Sequence, residues 1–147
     1  MPHSYAENVI HVVFSTKHRG KLISADLRPK MWGYLAGICK NLEMHVHAIG
    51  GVSDHVHLLV RLPATMPLAK AVNALKSNSS KWANEEGSKF AWQEGYAAFS
   101  VSASLVPAVV RYIRAQEAHH KKMSFEDELF ALLRKHGVKF DPAYVLG

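Results

Sequence analysis

Gly50-Gly51-Val52-Ser53-Asp54-His55-Val56-His57-Leu58-Leu59-Val60-Arg61 runs from a glycine turn into an apolar, β-branched segment, the pattern of a buried strand leaving a hairpin. Residues two apart along a strand share a face, so His55 and His57 point one way while Val56, Leu58 and Val60 point the other. One face is core and the other carries two imidazoles. Two imidazoles on a rigid element form half of a metal site, and a third ligand has to come from elsewhere in the chain.

Outward from this strand, residues 44–49 read as its antiparallel hairpin partner. Earlier, residues 9–16 read as a strand, followed by the basic turn Lys17-His18-Arg19-Gly20-Lys21. Ser24 or Asp26 caps a helix to about Leu42, with Leu27, Met31, Tyr34, Leu35 and Ile38 on one face. Beyond Pro63 and Pro67 a helix spans residues 68–86, its apolar Leu68, Ala71, Val72 and Leu75 interleaved with Lys70, Lys76 and Lys81. Residues 87–95 are loop, 96–101 a fourth strand, and Ser102 or Ser104 opens a helix through about His120. A last helix, 125–136, is capped by Ser124 and ended by Gly137, leaving a short tail to Gly147. The order β-α-β-β-α-β plus two helices predicts an α+β, ferredoxin-like (RRM-like) split βαβ fold in one domain, residues 1–147. A four-stranded antiparallel sheet with helices on one face, plus the C-terminal helices, leaves the other face open to a ligand or a second subunit.

The 147 residues suffice for a core without staples, and the single cysteine, Cys39, excludes an intrachain disulfide and suits a reducing cytoplasm. Met1-Pro2-His3-Ser4 lacks a basic region followed by an apolar run, and no stretch of about eighteen apolar residues occurs, so a soluble, cytoplasmic protein without membrane contact is expected. Eighteen Lys and Arg against twelve Asp and Glu give a net charge of +6. That balance favours a polyanionic partner without proving one.

Two His-x-His pairs occur, His45/His47 and His55/His57, and either can be read as polar residues on a solvated strand face. The second pair stands out by lying on the strand whose other face is apolar. In the helix after strand four, Tyr112 and Gln116 are four apart and share a face, with His119 and His120 one turn on, beside the apolar Val106, Val109, Val110 and Ile113. Tyr112 can be an amphipathic residue at the edge of the core with Gln116 its solvated neighbour. Alternatively, Tyr112 is a nucleophile and Gln116 joins His55 and His57 as a third metal ligand. A nitrogen and oxygen set without thiolate suits Mn²⁺ or Mg²⁺. A phenol attacks at neutral pH only when its proton is removed or its target is made electrophilic, and a divalent ion on a phosphate does the latter.

Asp54-His55-Val56-His57-Leu58-Leu59-Val60, Gly95-Tyr96-Ala97-Ala98-Phe99-Ser100-Val101-Ser102, Tyr112-Ile113-Arg114-Ala115-Gln116-Glu117-Ala118-His119-His120 and Ser124-Phe125-Glu126-Asp127-Glu128 follow one another in this order. With Thr16-Lys17-His18-Arg19 and Ser79-Ser80-Lys81-Trp82, they resemble the successive motifs of the single-tyrosine HUH transposases of small bacterial insertion sequences, where U is a hydrophobic residue. The resemblance covers nearly the whole chain. It implies His55 and His57 as the HUH metal ligands, Gln116 as the third, and Tyr112 as the nucleophile. It further implies a single-stranded DNA substrate with hairpins, cut to a 5′-phosphotyrosine and a free 3′-hydroxyl and then rejoined, with Mg²⁺ or Mn²⁺ and no ATP. A homodimer is implied, with the Tyr112 helix completing the site of its own chain or of the partner. His45 and His47 match no catalytic position.

Tyr5, Tyr34, Tyr96 and Tyr144 have no ligand-capable neighbour at helical spacing near the HUH strand and read as structural. Lys17, Arg19, Lys21, Lys76 and Lys81 are the candidate phosphate contacts, against the default of solvated side chains. Two further readings compete with the transposase. One is a non-catalytic, domesticated hairpin-binding module of the same fold; the other is metal-dependent hydrolysis with water as nucleophile and no covalent protein–DNA species.

Overall fold

The computed structural model describes residues 5–145, with side chains through Ala143. Met1-Pro2-His3-Ser4, the side chain of Tyr144 and the end of the tail at Leu146 and Gly147 lie outside the described residues. The elements are β1 (Asn8–Ser15), α1 (Leu27–Asn41), β2 (His45–Gly51), β3 (His55–Leu62), α2 (Leu68–Glu85), β4 (Ala97–Ser100), α3 (Val106–Arg114), α4 (Gln116–His119), α5 (Phe125–Lys135) and α6 (Pro142–Val145). Short 3-10 turns follow β1 and precede α3. The strands pair antiparallel in the order β2-β3-β1-β4, so the expected split βαβ sheet is present, with β3 and β1 central. No helix among the described residues is long and apolar enough to cross a membrane.

Alternation along β1 and β3 sorts the sheet into two faces. Val12, Phe14, Val56, Leu58 and Val60 bury against Met31 and Leu35 of α1 and Val72 and Leu75 of α2, in one large apolar core. The expectation that the opposite face stays open is corrected: the helices after β4 fold back over it. Under α3, Val9, Ala48, Leu59 and Ile113 form one small cluster; under α5, Val13, Phe99, Phe125, Leu129 and Leu133 form another. Helices α3 and α5 therefore cover the sheet as a third layer, because each has an apolar stripe that must be buried somewhere.

Gly50 and Gly51 also differ from their reading as a turn. They end β2, paired with His57 and Val56, and the hairpin reverses over Val52, Ser53 and Asp54. Their value is the absent side chain. A Cβ on Gly50 would lie 2.4 Å from the Ile113 carbonyl oxygen of α3, so the bare backbone lets α3 seat directly on the sheet. The long helix foreseen to His120 is interrupted at Ala115, whose φ of −94° and ψ of 13° separate α3 from α4.

Candidate active site

The site lies on the helix-covered face of β3, between the two small clusters. His55 and His57 point into it as alternation requires, and both are fully buried. His11 of β1 is paired with Leu59 and so lies diagonal to His57 on the same face; its Nε2–H donates to His57 Nδ1 at 2.8 Å. From above, α3 brings Tyr112, α4 brings Gln116, and α5 brings Glu128, which is 1% exposed.

Glu128 is the hub. Its Oε1 accepts from His57 Nε2 at 2.9 Å and His120 Nε2 at 3.1 Å, and lies 3.3 Å from His55 Nε2. Its Oε2 accepts from the Tyr112 hydroxyl and, at 2.9 Å, from Gln116 Nε2. The Gln116 Oε1 in turn accepts from His55 Nε2 at 2.9 Å. Despite the break at Ala115, Tyr112 and Gln116 thus converge, and they do so on their own chain's histidines.

The far side of each imidazole is also held. His55 Nδ1 donates to the Asp54 carboxylate at 2.8 Å, and His120 Nδ1 donates to the Met123 carbonyl at 2.7 Å. Together with the His11–His57 bond, these contacts aim three Nε2 atoms at one point. Backing of this type on the outer ring nitrogen is what orients imidazoles as metal ligands.

Charge follows from the same contacts. Burial opposes a proton on His55, yet hydrogen bonds to Asp54, Glu128 and Gln116 outweigh it and lift its pKa to about 9. Burial holds His57 down to about 4 and His11 to about 3, so both are neutral at physiological pH. Glu128 would rise through burial, but bonds from His55 and His57 hold its carboxyl far below the usual range. Burial and then the Glu128 carboxylate push the Tyr112 phenol well above its ordinary value, so the phenol keeps its proton in this arrangement.

The residues fit a divalent cation. Ligand atoms of His55, His57, His120 and Glu128 all lie within 4.8 Å of one another, with Gln116 Oε1 beside them. The donors are nitrogen and oxygen, and Cys39, the one thiol, is buried in the core on the opposite face. The ion-pair partners of Glu128 among the described residues are all imidazoles, and of these His55 holds a proton that offsets its charge where a metal would otherwise do so.

Glu128, His120, His11 and Asp54 received no role from the sequence. Glu128 carried a signal all the same: it falls at helical spacing within the apolar stripe Phe125, Leu129 and Leu133, where a solvated carboxylate has no place. His11 is the polar residue inside the otherwise apolar β1.

Of the five basic residues, Lys21 lines a cleft of about 440 Å³ that opens beside the centre, with Arg28, Ser53, Asp54, His120 and Lys121. Lys17 and Arg19 stand in the turn after β1, where Arg19 pairs with Glu126 of α5 at 2.9 Å. Lys76 donates to the carbonyls of Gln93 and Gly95 at 2.5 and 2.8 Å, tying down the loop before β4. Lys81 is exposed on α2, behind the sheet. Tyr34 stacks on Trp82, Tyr5 and Tyr96 are exposed, and none of the three touches the centre. The pair His45/His47 sits on β2, where the pairing with β3 is irregular, away from the site.

Two solved structures share the fold. A structure from Deinococcus radiodurans R1, assigned as a transposase, aligns with a TM-score of 0.62 at 20% identity, covering 78% of this chain and 94% of that one. A REP-associated tyrosine transposase bound to a REP hairpin aligns with a TM-score of 0.63 at 13% identity, covering 80% of this chain and 72% of that one. No curated protein sequence matches the chain. The family model described as Transposase IS200 like matches residues 4–116, which ends at Gln116 of α4, and the chain accordingly belongs to that family of transposases.

Proposed function

We propose that this transposase cuts and rejoins single-stranded DNA through a covalent bond to Tyr112, with His55, His57 and Gln116 as ligands of a Mg²⁺ or Mn²⁺ ion. The observation that carries the reading is the convergence of the Tyr112 hydroxyl and Gln116 on the group that binds the HUH histidines. A bound divalent ion supplies charge neutralisation at a phosphate's non-bridging oxygens, which makes phosphorus a better electrophile.

The chain's own residues do the rest. Asp54 and His11 hold the two imidazoles in their orientation, and Glu128 holds the phenol proton and the Gln116 amide until substrate arrives. The Tyr112 oxygen forms the bond to phosphorus and the 3′-oxygen leaves with the proton, giving a 5′-phosphotyrosine and a free 3′-hydroxyl. The reverse attack by another 3′-hydroxyl rejoins the strand and frees Tyr112. Energy is conserved in the ester, so no nucleotide cofactor is required.

The phosphodiester strand approaches through the cleft lined by Lys21, Arg28 and Lys121, with Lys17 and Arg19 as outer phosphate contacts. Hairpin recognition is supported by the neighbour bound to a REP hairpin. The working unit is a homodimer in which the Tyr112 helix completes the site of its own chain or of the partner.

Cleavage assays on single-stranded oligonucleotides from the flanks of the gene, with and without their hairpins, test this reading. Metal-dependent cleavage of one strand, lost when the hairpin is scrambled, is expected. Hairpin binding without cleavage would favour the domesticated module, and cleavage without a protein–DNA adduct would favour water as the nucleophile.

A further inference from the structure

We infer that Glu128 of α5 is itself a ligand of the metal centre and, through its second oxygen, the anchor of the Tyr112 phenol, which makes α5 part of the catalytic apparatus. The inference rests on the reading of His55 and His57 as metal ligands. It concerns a helix that lies beyond residue 116, where the match to the family ends.

A carboxylate buried to 1% exposure within the stripe Phe125, Leu129 and Leu133 is costly unless its charge is met. Here its ion-pair partners among the described residues are imidazoles, and the two oxygens divide the work. Oε1 faces the nitrogens that would bind the ion, His57, His120 and His55 at 2.9, 3.1 and 3.3 Å. Oε2 faces the nucleophile side, accepting from Tyr112 and Gln116.

His120 adds an independent pointer. With its Nδ1 bonded to the Met123 carbonyl at 2.7 Å, the His120 ring is held with its Nε2 3.1 Å from Oε1, on the side of the carboxylate that faces His55 and His57. The Nε2 of His119, 3.3 Å from Oε2 and buried without a hydrogen bond, lies on the same carboxylate.

The position of α5 is fixed rather than incidental. Ser124 caps the helix by accepting from the Asp127 amide, Phe125 stacks on the His55 ring at 4.4 Å, and Glu126 pairs with Arg19. Delivery of Glu128 to the centre is therefore built from both the helix start and the strand it covers.

A carboxylate ligand hardens the site, and this gives a test that does not depend on turnover. Histidines alone retain Zn²⁺ and Ni²⁺, whereas Mn²⁺ and Mg²⁺ depend on anionic oxygen. Calorimetric titration of the DNA-free protein with each ion compares wild type with Glu128→Gln. Mn²⁺ affinity is expected to fall at least about tenfold while Zn²⁺ affinity changes much less. Unchanged or tighter Mn²⁺ binding would overturn the inference, the second by showing that Glu128 plugs the site; a parallel loss of all ions would overturn it by showing a structural role.

Glu128→Asp, which keeps the charge one methylene further back, gives the same ion order with a smaller loss and serves if the Gln variant does not fold. His57→Ala is the control. It is expected to lose every ion, and retention of wild-type binding there would remove the underlying metal reading, a failure distinct from that of Glu128 alone.

Discussion

On one face of the sheet, Val12, Phe14, Val56, Leu58 and Val60 meet α1 and α2 in continuous hydrocarbon; on the other, His11, His55 and His57 separate an apolar patch under α3 from another under α5. The same two strands build both faces. Hydrocarbon burial is non-directional, so the first face makes the sheet rigid without specifying any one contact. The second face combines its two smaller apolar clusters with directional bonds to Glu128. The continuous apolar core lies on one side of β3 and the candidate site on the other, a single residue apart in sequence.

His57→Ala and Leu58→Ala, neighbours on opposite faces, test that division most severely. The first should reduce strand cleavage by about 10³-fold or more and abolish metal binding, while hairpin binding and the folded state persist. The second should cost about 2–5 kcal/mol in chemical denaturation, a large share of the stability of a domain of this size, with metal ligands untouched. If His57→Ala unfolds the chain, or Leu58→Ala is silent, the two faces do not divide in this way.

Gly50→Ala probes how the faces are joined. Its new Cβ would meet the Ile113 carbonyl, so α3 must move; about 1–3 kcal/mol of stability should be lost, together with a larger fractional loss of cleavage, because Tyr112 directly precedes Ile113 on the same helix and moves with it. Equal cleavage by the variant and wild type would show that seating of α3 does not set the position of Tyr112.

The smallest expected effect belongs to Cys39 on the apolar side. Burial pushes its thiol up to about 11 from 9.0. As pH rises the unfolded chain loses this proton first, so the folded state loses stability from about pH 9 and ceases to lose it near pH 11. At pH 10 the difference between wild type and Cys39→Ala should have shifted by on the order of 1 kcal/mol relative to pH 7. A difference that is flat with pH would mean that the thiol is not in a hydrocarbon environment.

Much of this was legible in the chain because periodicity reports burial. The apolar, β-branched run after Gly50-Gly51 pointed to the strand, the two-residue period of a strand put His55 and His57 on one face, and the turn residues placed the helices to within a few positions. What could not be read was what lies over the second face, since alternation distinguishes the sides of a strand but not a solvated side from one covered by later helices. Gly50 and Gly51 misled for a related reason: glycine serves equally for a turn and for a close approach of backbones, and only the packed α3 decides between them. Glu128 was visible as a carboxylate in an apolar stripe. Its role depended on four elements meeting, which no local pattern encodes.

The central claim, that Tyr112 is the nucleophile of a site completed by the histidines of β3, is tested most directly by mapping the covalent product. Protein incubated with Mn²⁺ and single-stranded DNA from the flanks of its gene is digested and analysed by mass spectrometry. The account predicts a nucleotide-bearing peptide that contains Tyr112, formed only with metal and absent from Tyr112→Phe. Cleavage that continues undiminished in Tyr112→Phe, or an adduct on Tyr5, Tyr34, Tyr96 or Tyr144, would contradict it.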